Sequence, residues 1–177
     1  MASDTFLVLK PKTGLPPFKT ETQDSTFSKY VSLELKSFAL GYAQLGTLNQ
    51  PGKLSFHTLD VNLAAGINSP GFLAMAGRGQ SFDSMTIYAR RAGSGGPGPI
   101  YAVYHFGTIF VAGATMDGTS GDNAITLSLS LTFGELAHYS LTQSSNGRVS
   151  TALVGSWDVV RNTVWSPEPN LDGPGLG

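Results

Sequence analysis

The nonapeptide Ile125-Thr126-Leu127-Ser128-Leu129-Ser130-Leu131-Thr132-Phe133 places an apolar residue at every odd position and Ser or Thr at every even one. A period of two matches only an extended strand, with one greasy face and one face of small hydroxyls. The same period recurs in Val31-Ser32-Leu33-Glu34-Leu35-Lys36. Further strands are predicted over Phe6–Leu9, Leu54–Leu63, Ser81–Arg90, Tyr101–Ala112 and Glu135–Leu141. Tyr101–Ala112 is apolar at both parities, the pattern of a strand covered on both faces. Turn-rich clusters at Gly46–Gly52, Gly93–Pro99, Asp117–Asn123 and Ser144–Gly147 separate the runs. One helix interrupts them. Ser69 is its predicted cap and Pro70 its first turn; Phe72, Met75 and Ala76 form its apolar stripe, and Gly77 its stop. The expected fold is mainly β, an antiparallel β-barrel or sandwich with one short helix in a crossover.

The 177 residues suit a single domain, expected over residues 1–165. Pro11–Ser28 reads as a long peripheral loop, and the Pro/Gly-rich segment 166–177 as a flexible tail. Hydrophobic residues make up 41%, enough for a core, and the net charge is −1, which excludes a disordered charged tail. With 11 basic residues against 12 acidic, no surplus exists to neutralise phosphates, so nucleic acid is not an expected partner. Only 13% of residues are charged, about half the usual share, so copies of the chain repel one another little. There are no cysteines, which excludes disulfides and thiolate metal sites. The first residues lack the basic and apolar regions of a signal peptide, and no run reaches the ~18 apolar residues of a membrane helix. A cytoplasmic start is expected, with no membrane insertion.

Chemistry is sparse. His57, His105 and His138 lie far apart, and no pair has the spacing that aims two imidazoles at one metal. Gly118-Thr119-Ser120-Gly121 lacks the strand–turn–helix context of a nucleophile, and the Gly93–Gly98 run lacks the Lys-Ser/Thr and helix of a phosphate loop. Glu34, Asp60, Asp83 and Glu135 are not paired in sequence. Two other readings remain open from these residues. One is a carbohydrate-binding β-sandwich using Trp157, Trp165 and the Tyr101–Tyr104 strand start; the other is a hydrolase using His57 or His138 with a carboxylate.

Six ordered segments resemble the Hcp family of type VI secretion tube proteins. Asp4-Thr5-Phe6-Leu7-Val8-Leu9 is similar to its first strand, and Ser37-Phe38-Ala39-Leu40-Gly41 to its Ser-Phe-x-Trp-Gly strand end. Phe56 and Asp60 resemble a Phe-x-x-x-Asp pattern, and Ser69-Pro70-Gly71-Phe72-Leu73 a Ser/Thr-Pro helix start. Ile87, Arg90 and Arg91 resemble an Ile-x-x-Arg strand, and Gly155–Asn162 the terminal Gly-Trp-Asp-x-x-x-Asn signature with Ser156 inserted. The chain departs from the family at Leu40, where Trp is usual, in the Pro-rich loop 11–28, and in the extended tail. The resemblance implies a barrel protomer that forms hexameric rings. It further implies rings stacked into a tube, a sheath and spike as partners, small effectors as cargo, secretion without a signal peptide, no cofactor and no enzymatic activity.

Two surfaces are candidates for such assembly. Thr126, Ser128, Ser130 and Thr132 form a hydroxyl face that can line a lumen or meet a neighbouring subunit. The loop bearing Leu45, Gly46, Leu48, Pro51 and Lys53 is a candidate arm for stacking on the next ring.

Overall fold

The computed structural model describes residues 3–44, 46–47, 49–50, 52–92, 98–118, 124–143 and 149–166. Its strands are β1 (Ser3–Lys10), β2 (Ser32–Ala39), β3 (Tyr42–Gln44), β4 (Leu54–Phe56), β5 (Leu59–Ala64), β6 (Ser81–Arg91), β7 (Ile100–Asp117), β8 (Thr126–Gln143) and β9 (Val149–Asp158), with one helix, α1 (Ser69–Arg78). All pairings are antiparallel, in the order β5-β2-β1-β6-β7-β8-β9. A further β5–β8 ladder, from Leu59↔Leu131 to Ala64↔Thr126, closes six strands into a barrel. The strand β9 stays outside it, paired with the second half of β8 from Glu135↔Asp158 to Gln143↔Val149.

Ile125–Phe133 and Glu135–Leu141, predicted as separate strands, are one strand of 18 residues. The sequence divides there because its phase inverts. Before Gly134 the odd residues Leu127, Leu129 and Leu131 fill the barrel core; beyond it the even residue Leu136 does, while Ala137, Tyr139 and Leu141 enter a second cluster. The neighbouring strand inverts at the same level. Tyr104 and Phe106 face the barrel core before Thr108, and Ile109 and Val111 after it. Thr108 sits at φ 49, a left-handed conformation that strains a β-branched residue. Opposite it, Gly134 accepts a hydrogen bond from Val159 N at 2.8 Å. Both parities of Tyr101–Ala112 are apolar because the strand serves both clusters and changes phase midway.

Three other expectations are corrected. Leu54–Leu63 is not one strand: Leu54–Phe56 pairs with Tyr42–Gln44 as a separate hairpin, and Leu59–Ala64 joins the barrel. The unpaired His57-Thr58 carries the chain between the two sheets, with His57 N bonded to Gly41 O at 2.8 Å. The helix is where expected, but its N-cap is Asn68 and its left-handed stop is Gly79, at φ 61, rather than Ser69 and Gly77. Ala76 lies exposed, so Phe72 and Met75 alone reach the core.

The loop 11–28 is not peripheral. Phe18 enters the barrel core against Phe72 and Phe82, with ring centroids 5.1 Å from each. Phe27 is fully buried in the second cluster, stacked on Phe6 at 4.1 Å. Between these anchors the loop is stitched by polar groups. Buried Asn68 accepts from Lys19 N at 2.8 Å and donates Nδ2 to Lys19 O and Glu21 Oε1, each at 2.7 Å. Those bonds occupy the side chain that would otherwise cap α1. Glu21 Oε1 also accepts from Asn68 N at 3.0 Å.

Arg90 closes the other end. Its guanidinium is 7% exposed, lies 4.8 Å above the Phe6 ring, and donates Nη2 to Asp24 at 2.7 Å and Asp4 at 3.0 Å. The hydrogen bond from Arg90 holds the Asp24 carboxyl below the ordinary carboxylate range, against the opposing effect of burial. Burial alone would lower the Arg90 pKa, but the two carboxylates outweigh it and raise it.

A Cβ added at Gly66 would lie 2.0 Å from Glu21 Oε2. Glu21 would have to leave Asn68, so Gly66→Ala is expected to destabilise by about 1–3 kcal/mol, read as a lower urea midpoint. Thr108→Gly should stabilise by about 1 kcal/mol, the reverse of glycine's usual effect in a strand, because it relieves a left-handed β-branched residue. Asp24 binds its proton more weakly folded than unfolded. Its contribution is therefore complete above the unfolded carboxylate pKa of about 3.9 and fades as pH falls through the lower folded value. Urea midpoints measured against pH should lose part of their acid-side slope in Asp24→Asn.

Candidate functional site

The hydroxyls of the first half of β8 point outward, because the leucines between them point into the barrel. Register then sets their partners. Asp60 stands opposite Ser130 and Asn62 opposite Ser128 on β5, while Ser37 stands opposite Asn62 on β2. Ser130 Oγ donates to Asp60 Oδ1 and Ser128 Oγ to Asn62 Oδ1, both at 2.6 Å. Asn62 Nδ2 donates to Ser37 Oγ at 2.9 Å, and Lys36 Nζ to Thr126 Oγ1 at 2.7 Å. Thr132 is exposed, opposite half-exposed Phe110 on β7. The face is thus a ladder of side chains across three strands. Asp60, Asn62 and Lys36 are members that sequence reasoning misses. Their residue types carry no signal for it, since only the β5–β8 closure brings them beside β8.

The candidate stacking loop joins β3 to β4. Gly46 and Lys53 are exposed, and Thr47 and Gln50 exchange backbone hydrogen bonds of 3.0 and 3.1 Å. Leu45, Leu48 and Pro51 lie outside the described residues, as does the tail 167–177.

Residues of the terminal signature act structurally. Buried Asp158 accepts from Arg161 N through Oδ1 at 2.8 Å, and its own N–H donates to Thr163 O at 2.8 Å. Asn162 takes φ 55, a left-handed conformation that asparagine tolerates well. Together they turn the chain after β9. Ser156 Oγ then donates to Trp165 O at 2.5 Å, setting the indole parallel to the His105 ring with centroids 5.7 Å apart. Arg90 is the staple of the long loop, as described above.

The three histidines do not converge, although His105 and His138 stand one ladder step apart on β7 and β8 with different ring partners. His57 is exposed between β4 and β5; buried His105 shares a 2.8 Å hydrogen bond with Thr86; His138 stacks on Tyr104 at 4.2 Å. Burial lowers the His138 pKa, keeping the ring neutral at pH 7, and raises that of Tyr104. Among the described residues no group of three or more His, Asp or Glu is placed to hold a metal ion. Trp157 and Trp165 are both half-buried.

Trp157 lines an apolar cavity of about 220 Å³. Tyr42, Leu54 and Phe56 of the small hairpin form one wall, and Leu136, His138 and Trp157 of β8 and β9 the other. Gly155 adjoins it on β9. Among the described residues no helix is long and apolar enough to cross a membrane.

No protein-family model matches the sequence, and no curated protein matches it. Solved structures do. A structure described as a type six secretion system protein superposes with a TM-score of 0.77 at 19% identity, over 92% of this chain and 99% of that one. Hcp1 from Salmonella typhimurium gives 0.69 at 19% identity, over 93% and 100%. Hcp1 from E. coli EAEC 042, in a doubly substituted form, gives 0.69 at 13% identity, over 89% and 99%. The matches run over nearly the full length of each chain. The closed six-stranded barrel with its single short helix is the Hcp fold, carried here by a divergent sequence.

Proposed function

We propose that the chain is a structural subunit of a type VI secretion tube, with six copies closing into a ring and rings stacking into a conduit. The observation that carries this reading is the likeness to Hcp chains over about nine-tenths of this chain and almost all of theirs. The partners of such a tube are a contractile sheath, a spike and small effectors. The protein starts in the cytoplasm and leaves without a signal peptide. It needs no cofactor and is not an enzyme. Residues 1–165 act as one domain and 166–177 as an appended tail.

Physical features support the assignment. A chain with 13% charged residues and net charge −1 meets little electrostatic opposition when copies pack. The outward ladder Ser37–Asn62–Ser128, with Asp60–Ser130 and Lys36–Thr126 beside it, has satisfied many of its own hydrogen bonds. As a lumen wall it would let a folded effector pass without gripping it. The β3–β4 loop, with Gly46 exposed, is the arm that reaches the next ring.

Purified protein should elute at the size of a hexamer and show annular particles by negative-stain electron microscopy. A strictly monomeric species across a wide concentration range overturns the ring.

A further inference from the structure

Charge is scarce in this chain, at 13% of residues, and it is not evenly spread. Four of the six lysines, Lys10, Lys12, Lys19 and Lys29, fall between residues 10 and 29, and Glu21 and Asp24 are the carboxylates of that stretch. The fold sorts the two signs. All four lysines are exposed, while Glu21 and Asp24 are half-buried. Glu21 Oε1 accepts from Asn68 N and Nδ2, and Asp24 accepts from Thr26 N, Phe27 N and Arg90. What this stretch shows to solvent is therefore positive.

Backbone contacts gather the lysines at one end of the barrel. Leu9 N donates to Val31 O at 2.8 Å, which sets Lys10 at the end of β1 beside the segment carrying Lys29. Thr20 Oγ1 donates to Tyr30 O, which brings Lys19 to the same segment. Lys12 Nζ donates to Ser81 Oγ at 3.0 Å at the start of β6 and meets Asp83 at 3.5 Å. Neither Lys19 nor Lys29 forms a salt bridge among the described residues. The backbone beneath is fixed: Phe18 and Phe27 anchor it in two cores, and Asn68 holds both the N–H and the carbonyl of Lys19. Charges presented from a fixed backbone lower the ordering cost of binding.

A patch of one sign attracts and steers a partner of the other. Between residues 10 and 31 there is no arginine and no exposed aromatic, so the forked and stacking contacts that nucleic acid uses are missing. No large apolar residue of that stretch is exposed for insertion into lipid. A single apolar residue, Ile67 (64% exposed), precedes Asn68 in the chain and suits one side chain of a protein. The lysines lie in or beside the loop 11–28, one of the places where the sequence departs from the family it resembles.

We propose that the rim bearing Lys10, Lys12, Lys19 and Lys29 docks an acidic segment of a partner protein. The test titrates the full chain into fluorescein-labelled poly-L-glutamate and follows anisotropy. Binding is expected at low salt and should weaken about tenfold as ionic strength rises from roughly 0.05 to 0.3 M. At the lower salt Lys29→Gln should bind about threefold more weakly, and Lys19→Gln/Lys29→Gln about tenfold, with melting temperature and assembly size by native mass spectrometry unchanged. Arg91→Gln removes one exposed charge about 30 Å from Ser81 along β6, and should stay within about twofold of wild type. No binding at low salt, or an equal loss in Arg91→Gln and Lys29→Gln, overturns the proposal. Tighter binding to a single-stranded DNA oligonucleotide or to phosphatidylserine vesicles overturns it too, as does a changed assembly size in the double variant; these would give the rim to nucleic acid, lipid or a second copy. The inference stands apart from the ring reading, whose test is the size of the wild-type assembly.

Discussion

The structure depends on the phase inversion that crosses β7 and β8 at Thr108 and Gly134. An uninterrupted β-strand keeps one parity on one face along its whole length. Here each long strand must line a closed barrel over one half and support a second apolar cluster over the other. Left-handed Thr108 and the side-chain-free Gly134 rotate the ribbon between these duties. On one side of that line β8 is the strand that closes the barrel against β5; on the other it carries β9. The strain held at Thr108 is small beside the apolar area that the two clusters bury.

Two segments distant in sequence cover the second cluster. Phe27 comes from the long loop, Tyr30 from the stretch just before β2, and Trp165 from the end of the described chain. Each segment is tied down by polar groups at the rim: Asp24 and Asp4 on Arg90, Ser156 on the Trp165 carbonyl. A buried guanidinium is costly unless paired; Nη2 meets both carboxylates above the Phe6 ring, while Nε and Nη1 have no hydrogen-bond partner among the described residues. The loop therefore behaves as part of the core despite its polar composition.

Much of the architecture is legible in the sequence because it rests on period. The alternation over Ile125–Phe133 identifies the barrel-closing segment, and the Phe72–Met75 spacing the helix. What period cannot show is a change of period. Gly134-Glu135 reads as a break between strands when it is a reversal within one, and His57-Thr58 reads as strand interior when the chain changes sheets there. The loop 11–28 reads as peripheral because two phenylalanines among polar residues carry no periodic signal; only the tertiary fold buries them. The hydroxyl face is visible on β8, but its partners Asp60, Asn62 and Lys36 come from strands more than sixty residues away in sequence. Asn68 escapes notice as the cap because its side chain serves the loop instead of the helix.

The forked pairing of β8 also has a mechanical side. A load carried by β9 and resisted at β5 passes along one continuous strand, with no loop in the path. Both junctions and the long β7–β8 ladder are antiparallel strands pulled lengthwise, so their hydrogen bonds are strained together instead of opening one at a time. A fold wired in this way yields late and all at once under a lengthwise load.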